Sequence, residues 1–346
     1  MYGAEGIYFV TARVTQGRLL MRPSVMANEV IGGILARACR RFGVKLRGFI
    51  FMSNHLHLLV RAQGRVLSQF MQFLLGNIAR KVGRLHGWSG PFWQRRFSCE
   101  PVLDPEAELG RLRYILSHGV KEALVARPSE WPGLSCLKAL LDQDESYPFY
   151  NWDWRWNRPG LRGLDPWNRR LVEQEVLVVE PIGAWREYSP QRRAEVVGAL
   201  VDQIAAQHCR PEVKVLGAAA VLKQNPHKRV PLERRSHRPL CHVSSVLVRT
   251  QWMDLRRAFL AAYFVASKAF RGGQRTVEFP QWTFLPPDAR ASEPPKPQPT
   301  ASGSPEPGNK ARVPVHVFHS RDRDGRIAAG PARRGAREGE PERSRC

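Results

Sequence analysis

In the run FMSNHLHLLV at 51–60, His55 and His57 flank a single leucine. A β-strand sends alternate side chains to opposite faces, so the two imidazoles would project side by side. Leu56, Leu58 and Val60 would point the other way, into a core. Two imidazoles on a rigid strand are a ready pair of ligands for a divalent metal. Further along, Tyr114 and His118 stand four residues apart, which on a helix puts both on one face. With that helix packed beside the strand, His118 becomes a third ligand and Tyr114 lies close to whatever the metal holds. Such a site suits a phenol attacking a phosphodiester. A free tyrosine has a pKa of about 10, so positive charge must help expose its oxyanion. Arg111, one turn earlier, and the metal are the candidates.

The elements that must position these groups follow from periodicity. GIYFVTARV (6–14) alternates as a strand, with Tyr8, Val10, Ala12 and Val14 on one face. Val30, Ile31, Ile34, Leu35, Ala38 and Phe42 predict a helix over about 27–42, stopped by Gly43. VKLRGFIFM (44–52) and residues 55–62 read as two strands joined at the turn formers Ser53 and Asn54. A long helix over about 66–86 turns Phe70, Phe73, Leu74, Ile78 and Val82 inward, until Gly87 and Gly90 break it. A fourth strand near 97–103 precedes Asp104-Pro105, an N-cap with proline at the first helical position, and a helix to about His118. The order β-α-β-β-α-β-α predicts an α+β, ferredoxin-like antiparallel sheet with helices on one face, the other face open for a ligand.

Residues 1–145 are thus expected to form the catalytic domain. Over 146–286 the sequence predicts a tryptophan-rich, irregular connector (Trp152, Trp154, Trp156 and Trp167) followed by a helical basic extension. Its helices fall at about 190–208, 215–224 and 244–271, with the aperiodic basic stretch KQNPHKRVPLERRSHRPLCH at 223–242. Residues 287–346, rich in Pro, Ser, Gly and Arg, are expected to be a disordered tail.

Lys and Arg number 54 against 31 Asp and Glu, a net charge of +23 that a nucleic acid would neutralise. No stretch is long and apolar enough to span a bilayer, so no membrane partner is expected. Cys39, Cys99, Cys136, Cys209, Cys241 and Cys346 are scattered without a CxxC pair. They read as reduced thiols, and the expected location is cytoplasmic and nucleoid-associated. For DNA contact, Trp93, Gln94, Arg95, Arg96 and Phe97 combine an aromatic platform with cations. Arg111, Arg13 and Arg18 are further candidates, and the 223–242 stretch is expected to track a DNA backbone.

Together these segments resemble the single-tyrosine HUH transposases, of the insertion-sequence-200 type and the REP-associated tyrosine transposases. HUH denotes histidine, bulky hydrophobe, histidine, here His55-Leu56-His57. The resemblance covers about residues 6–137 through GIYFVTARV, MSNHLHLLV, GPFWQRRF (90–97), and YILSHGVKEALV with SEWPGLSC (114–136). It departs from the family pattern at His118-Gly119, where Asn-Pro is common, and at Ser53, where proline is frequent. The resemblance implies the HUH nuclease fold, Tyr114 as nucleophile, and His118 completing a metal site for Mg²⁺ or Mn²⁺. It also implies cleavage and rejoining of single-stranded, often hairpin-flanked DNA through a 5′-phosphotyrosine link, by a monomer or a homodimer. The rivals are an HUH replication initiator or relaxase, a non-catalytic single-stranded DNA-binding regulator derived from a transposase, and a metal-dependent hydrolase that uses water.

Overall fold

The computed structural model describes residues 5–141, 145–151, 164–209, 212–231, 239–281, 283, 285–287 and 289–291. Trp152, Trp154 and Trp156, and the tail from residue 292 on, lie outside them. The chain opens as β1 (Gly6–Arg13), α1 (Val25–Phe42), β2 (Lys45–Phe51), β3 (His55–Ala62), α2 (Gly64–Leu85), β4 (Ser98–Val102) and α3 (Pro105–Lys121). The four strands form one antiparallel sheet in the order β2-β3-β1-β4, the ferredoxin-like arrangement expected from the element order.

Local chemistry sets the element ends. Ser24 caps α1 by accepting from the Ala27 N–H, and Gly43 closes it in the left-handed conformation at φ +64°. Asp104 caps α3, its Oδ1 accepting from the Ala107 N–H at 2.7 Å. On β3, Leu56, Leu58 and Val60 are fully buried, in the same apolar cluster as Ile31, Ile34 and Leu35 of α1 and Phe70 and Leu74 of α2.

Helix α3 lies on the histidine face of the sheet rather than leaving it open. Gly48, paired with Leu59, gives the room: a Cβ there would meet Leu112 and Ile115 of α3. A buried ion pair between Arg47 of β2 and Glu108 of α3 fixes the crossing. Glu108 Oε2 also accepts from the Gly183 N–H at 2.9 Å. A third histidine can reach the first two only from a helix on their own side, which is why this face is covered.

Beyond α3 come α4 (Leu137–Leu140), β5 (Glu145–Tyr150), β6 (Val172–Leu177), α5 (Pro190–His208), α6 (Ala218–Leu222), α7 (Val246–Arg271), β7 (Glu278–Phe279) and β8 (Arg290–Ala291). The connector expected to be irregular begins as strand β5, paired antiparallel with β6 from Glu145↔Leu177 to Tyr150↔Val172. This ribbon packs on α1 where Gly32 and Gly33 leave no side chain in the way. A Cβ on Gly33 would overlap the Pro148 carbonyl, and one on Gly32 the Tyr147 ring. Arg37 pairs with Glu173 and Glu175, and Arg40 with Glu175 at 2.8 Å, so β6 is held to the same helix by charge.

Candidate metal centre and its tyrosine

His55, His57 and His118 meet in one buried cluster whose candidate ligand atoms all lie within 4.8 Å of one another. Their ring centroids are 4.8–5.0 Å apart, and Nε2 of His55 stands 2.7 Å from Nε2 of His118. Strand alternation brings in the first two and α3 the third.

The outer nitrogens of His55 and His57 are engaged by neighbours. His55 Nδ1–H donates to Asn54 Oδ1 at 2.6 Å, and His57 Nδ1 pairs with Thr11 Oγ1 at 2.9 Å. Thr11 is the cross-strand partner of His57 on β1. The Asn54 acceptor fixes the tautomer that turns the His55 Nε2 lone pair inward, and Thr11 orients the His57 ring. Nε2 of His57 and Nδ1 of His118 are buried without a hydrogen-bond partner among the described residues. Three converging imidazoles, two of them with a buried nitrogen left unpaired, fit a divalent metal.

All three histidines are held neutral, the form that ligates. Burial pushes His55 well below its usual range, with help from His118 and Arg13. His57 is lowered in the same way, by burial and then by His118, His55, Arg13 and Arg111. His118 falls to about 3, through burial and then Lys121 and Arg13.

Tyr114 packs beside the cluster, its ring 5.3 Å from that of His57 and 5.2 Å from that of His118. Phe9 binds the group together, stacked on His57 at 5.2 Å and edge-on to Tyr114 at 5.8 Å. Arg111 lies 5.2 Å from the Tyr114 ring centre and Lys121 5.3 Å, on the two sides of the helix turn. Burial raises the phenol's pKa and Glu122 adds to the rise, against the pull of Arg111 and Arg13.

The remaining sequence candidates divide. Arg13 pairs across the sheet with His55, and the Gln94 N–H donates to the Arg13 carbonyl at 2.9 Å, so 93–96 run beside this end of β1. Gln94, Arg95 and Arg96 are exposed. Trp93 is half-buried, spends its indole N–H on the Leu75 carbonyl at 2.9 Å, and packs on Phe92. Arg18 sits apart, over Trp88 at 4.8 Å, donating to the His227 carbonyl at 2.6 Å. Thr11 was not singled out in the sequence, and Asn54 was singled out only as a turn former. Asn54 adjoins the histidine pair, but Thr11 could be found only from the β1–β3 register.

The family model described as Transposase IS200 like matches residues 19–117. Over these residues the chain is similar to the IS200-like transposases. The transposase match contains His55, His57 and Tyr114 and stops one residue short of His118. Two solved structures are similar. One is a REP-associated tyrosine transposase bound to a REP hairpin, with 16% identity, 50% of this chain and 94% of that one covered, and a TM-score of 0.36. The other is a transposase structure from Deinococcus radiodurans, with 19% identity, 32% of this chain and 89% of that one covered, and a TM-score of 0.26. No curated protein matches the chain. Among the described residues no helix is long and apolar enough to cross a membrane.

Proposed function

We propose that the chain is a transposase-like nuclease and strand transferase acting on single-stranded, hairpin-flanked DNA. The observation that carries this reading is the convergence of three neutral, buried histidines beside the Tyr114 ring. In this reading His55, His57 and His118 hold Mg²⁺ or Mn²⁺. When bound, the ion polarises a non-bridging phosphate oxygen of the DNA.

Tyr114 loses its phenolic proton and its oxygen attacks the phosphorus of the scissile phosphodiester. The P–O3′ bond breaks, the departing oxygen takes a proton to become a 3′-hydroxyl, and the DNA 5′ end stays on the tyrosine as a phosphodiester. Attack by a 3′-hydroxyl on that link reverses the chemistry and joins strands, so no external energy is needed. Arg111 and Arg13 counter the effect of burial on the phenol and stabilise the oxyanion. Phe9 and the Arg47–Glu108 pair keep the helix and its tyrosine in register with the histidines. Gln94, Arg95 and Arg96 contact the incoming strand, and the extension after residue 145 assists binding.

The test is incubation of the protein with labelled single-stranded DNA covering the hairpins that flank its own gene, in Mg²⁺, followed by a denaturing gel. A covalent protein–DNA band, lost with EDTA and in Tyr114→Phe, is the expected result. Metal-dependent cleavage that survives Tyr114→Phe would point to hydrolysis by water. Tight binding without any band would point to a non-catalytic DNA-binding protein.

A further inference from the structure

His242 lies in the basic stretch that carries no period, far down the chain from the histidine pair and outside the transposase match. The fold returns it to the site. Its N–H donates to the Pro101 carbonyl at 2.8 Å and its carbonyl accepts from the Leu103 N–H at 2.9 Å, so it is bonded to the edge of β4. Two residues on, the Ser244 N–H and Oγ donate to the Asp104 carboxylate at 2.7 and 3.1 Å. The same carboxylate caps α3. The helix bearing Tyr114 and the loop bearing His242 therefore share one anchor.

The His242 imidazole stands edge-on to Phe9, with ring centroids 5.4 Å apart at 90°. Phe9 also touches His57, Tyr114 and Arg111. Nε2 of His242 is buried without a hydrogen-bond partner among the described residues. A buried ring nitrogen left unpaired is unfavourable until a ligand atom pairs it. Burial, and then Arg111, push this imidazole down to about 4, so it stands neutral beside a fixed cation.

We propose that His242 is a substrate-contacting residue of the Tyr114 site, supplied by the extension, whose Nε2–H donates to a phosphate oxygen of the DNA strand held at Arg111. The inference rests on the DNA-cleaving reading above. Arg111 supplies charge to the phosphate and His242 a directed hydrogen bond; no bond is made or broken at His242.

The experiment compares full-length wild type, His242→Phe and His242→Gln. Phenylalanine keeps a ring against Phe9 without an N–H, whereas glutamine restores a donor. The probe is the same labelled hairpin DNA, first in EDTA, where affinity is read without cleavage. His242→Phe is expected to bind about tenfold more weakly, the effect of one hydrogen bond to a charged group, and His242→Gln to recover most of the loss. Equal affinity in wild type and His242→Phe overturns the proposal, and so does a loss that glutamine does not recover, which marks packing alone.

Repeating the series in Mg²⁺ separates the two readings. If the affinity pattern holds but wild type forms no covalent band, the tyrosine reading fails and His242 stands. If wild type and His242→Phe bind and form the band alike, His242 fails and the tyrosine reading stands. Wild type that does not bind the probe refutes both.

Discussion

Helices α3 and α7 start from the same carboxylate and then have opposite fates. Asp104 caps α3 and also accepts from Ser244 and Ser245 at the entry to α7. From there α3 runs over the sheet, burying Glu108, Leu112, Ile115, Leu116, His118 and Val120. The longer α7 buries only Ala266 and Phe270 and leaves Leu247, Leu255, Phe264 and Val265 exposed. One helix is positioned along its whole length, the other at its ends. On the proposed function α3 holds a nucleophile against three ligands, which needs the first kind of support because small displacements are costly in catalysis.

This contrast can be broken by mutation. The largest effect is expected for Glu108→Ala, which leaves Arg47 buried without its partner and frees the Gly183 N–H. Loss of a buried partner costs about 3–5 kcal/mol, read as a fall in denaturation midpoint; a change below about 0.5 kcal/mol would show that α3 is held by apolar contacts alone. Thr11→Val removes the partner of His57 Nδ1. Metal affinity, measured by calorimetry with Mn²⁺, should drop about 10- to 100-fold, and unchanged affinity would mean that the ring needs no orienting bond. Asp104→Ala removes the cap of α3 and the anchor of the 244–245 turn together, and should cost about 1–2 kcal/mol. Phe264→Ser, on the exposed face of α7, should stay within about 0.5 kcal/mol. A larger loss there would place α7 in an interface.

Acid should act on the same division. His118 is held down to about 3 and His242 to about 4, both neutral when folded, whereas the unfolded chain takes up protons near the ordinary histidine value of about 6.5. Below that value the unfolded state binds more protons than the folded one. Stability of the metal-free protein is therefore highest above pH about 6.5 and falls as pH drops toward 3. A flat profile over that window would contradict the burial of these rings.

The half of this chain that carries the histidine cluster was largely legible in its sequence because its signals are local. Alternation in HLHLLV gave β3 as 55–62, and Asp104-Pro105 marked the start of α3. The spacing of Tyr114 and His118 placed both on one face, and both meet the histidine pair. What was missed depends on contacts between distant segments. Strand β5 was hidden by Pro148 and the tryptophans that follow, and its signal lay elsewhere, in the Gly32-Gly33 pair that admits it to α1. Thr11 gains its position from a strand register, and His242 from two main-chain bonds to β4. Helix α3 covers the histidine face because Gly48 makes room for it, which no periodicity in α3 itself reveals.

The most direct test is to trap the reaction with hairpin-flanked single-stranded DNA and Mg²⁺, digest with trypsin and nuclease, and locate the adduct by mass spectrometry. A phosphonucleotide on Tyr114, within the peptide Tyr114–Lys121, absent when EDTA is present, is the predicted result. A nucleotide mapped to another residue, or cleaved DNA with no modified peptide, would contradict the assignment of Tyr114 and the three histidines to one active site.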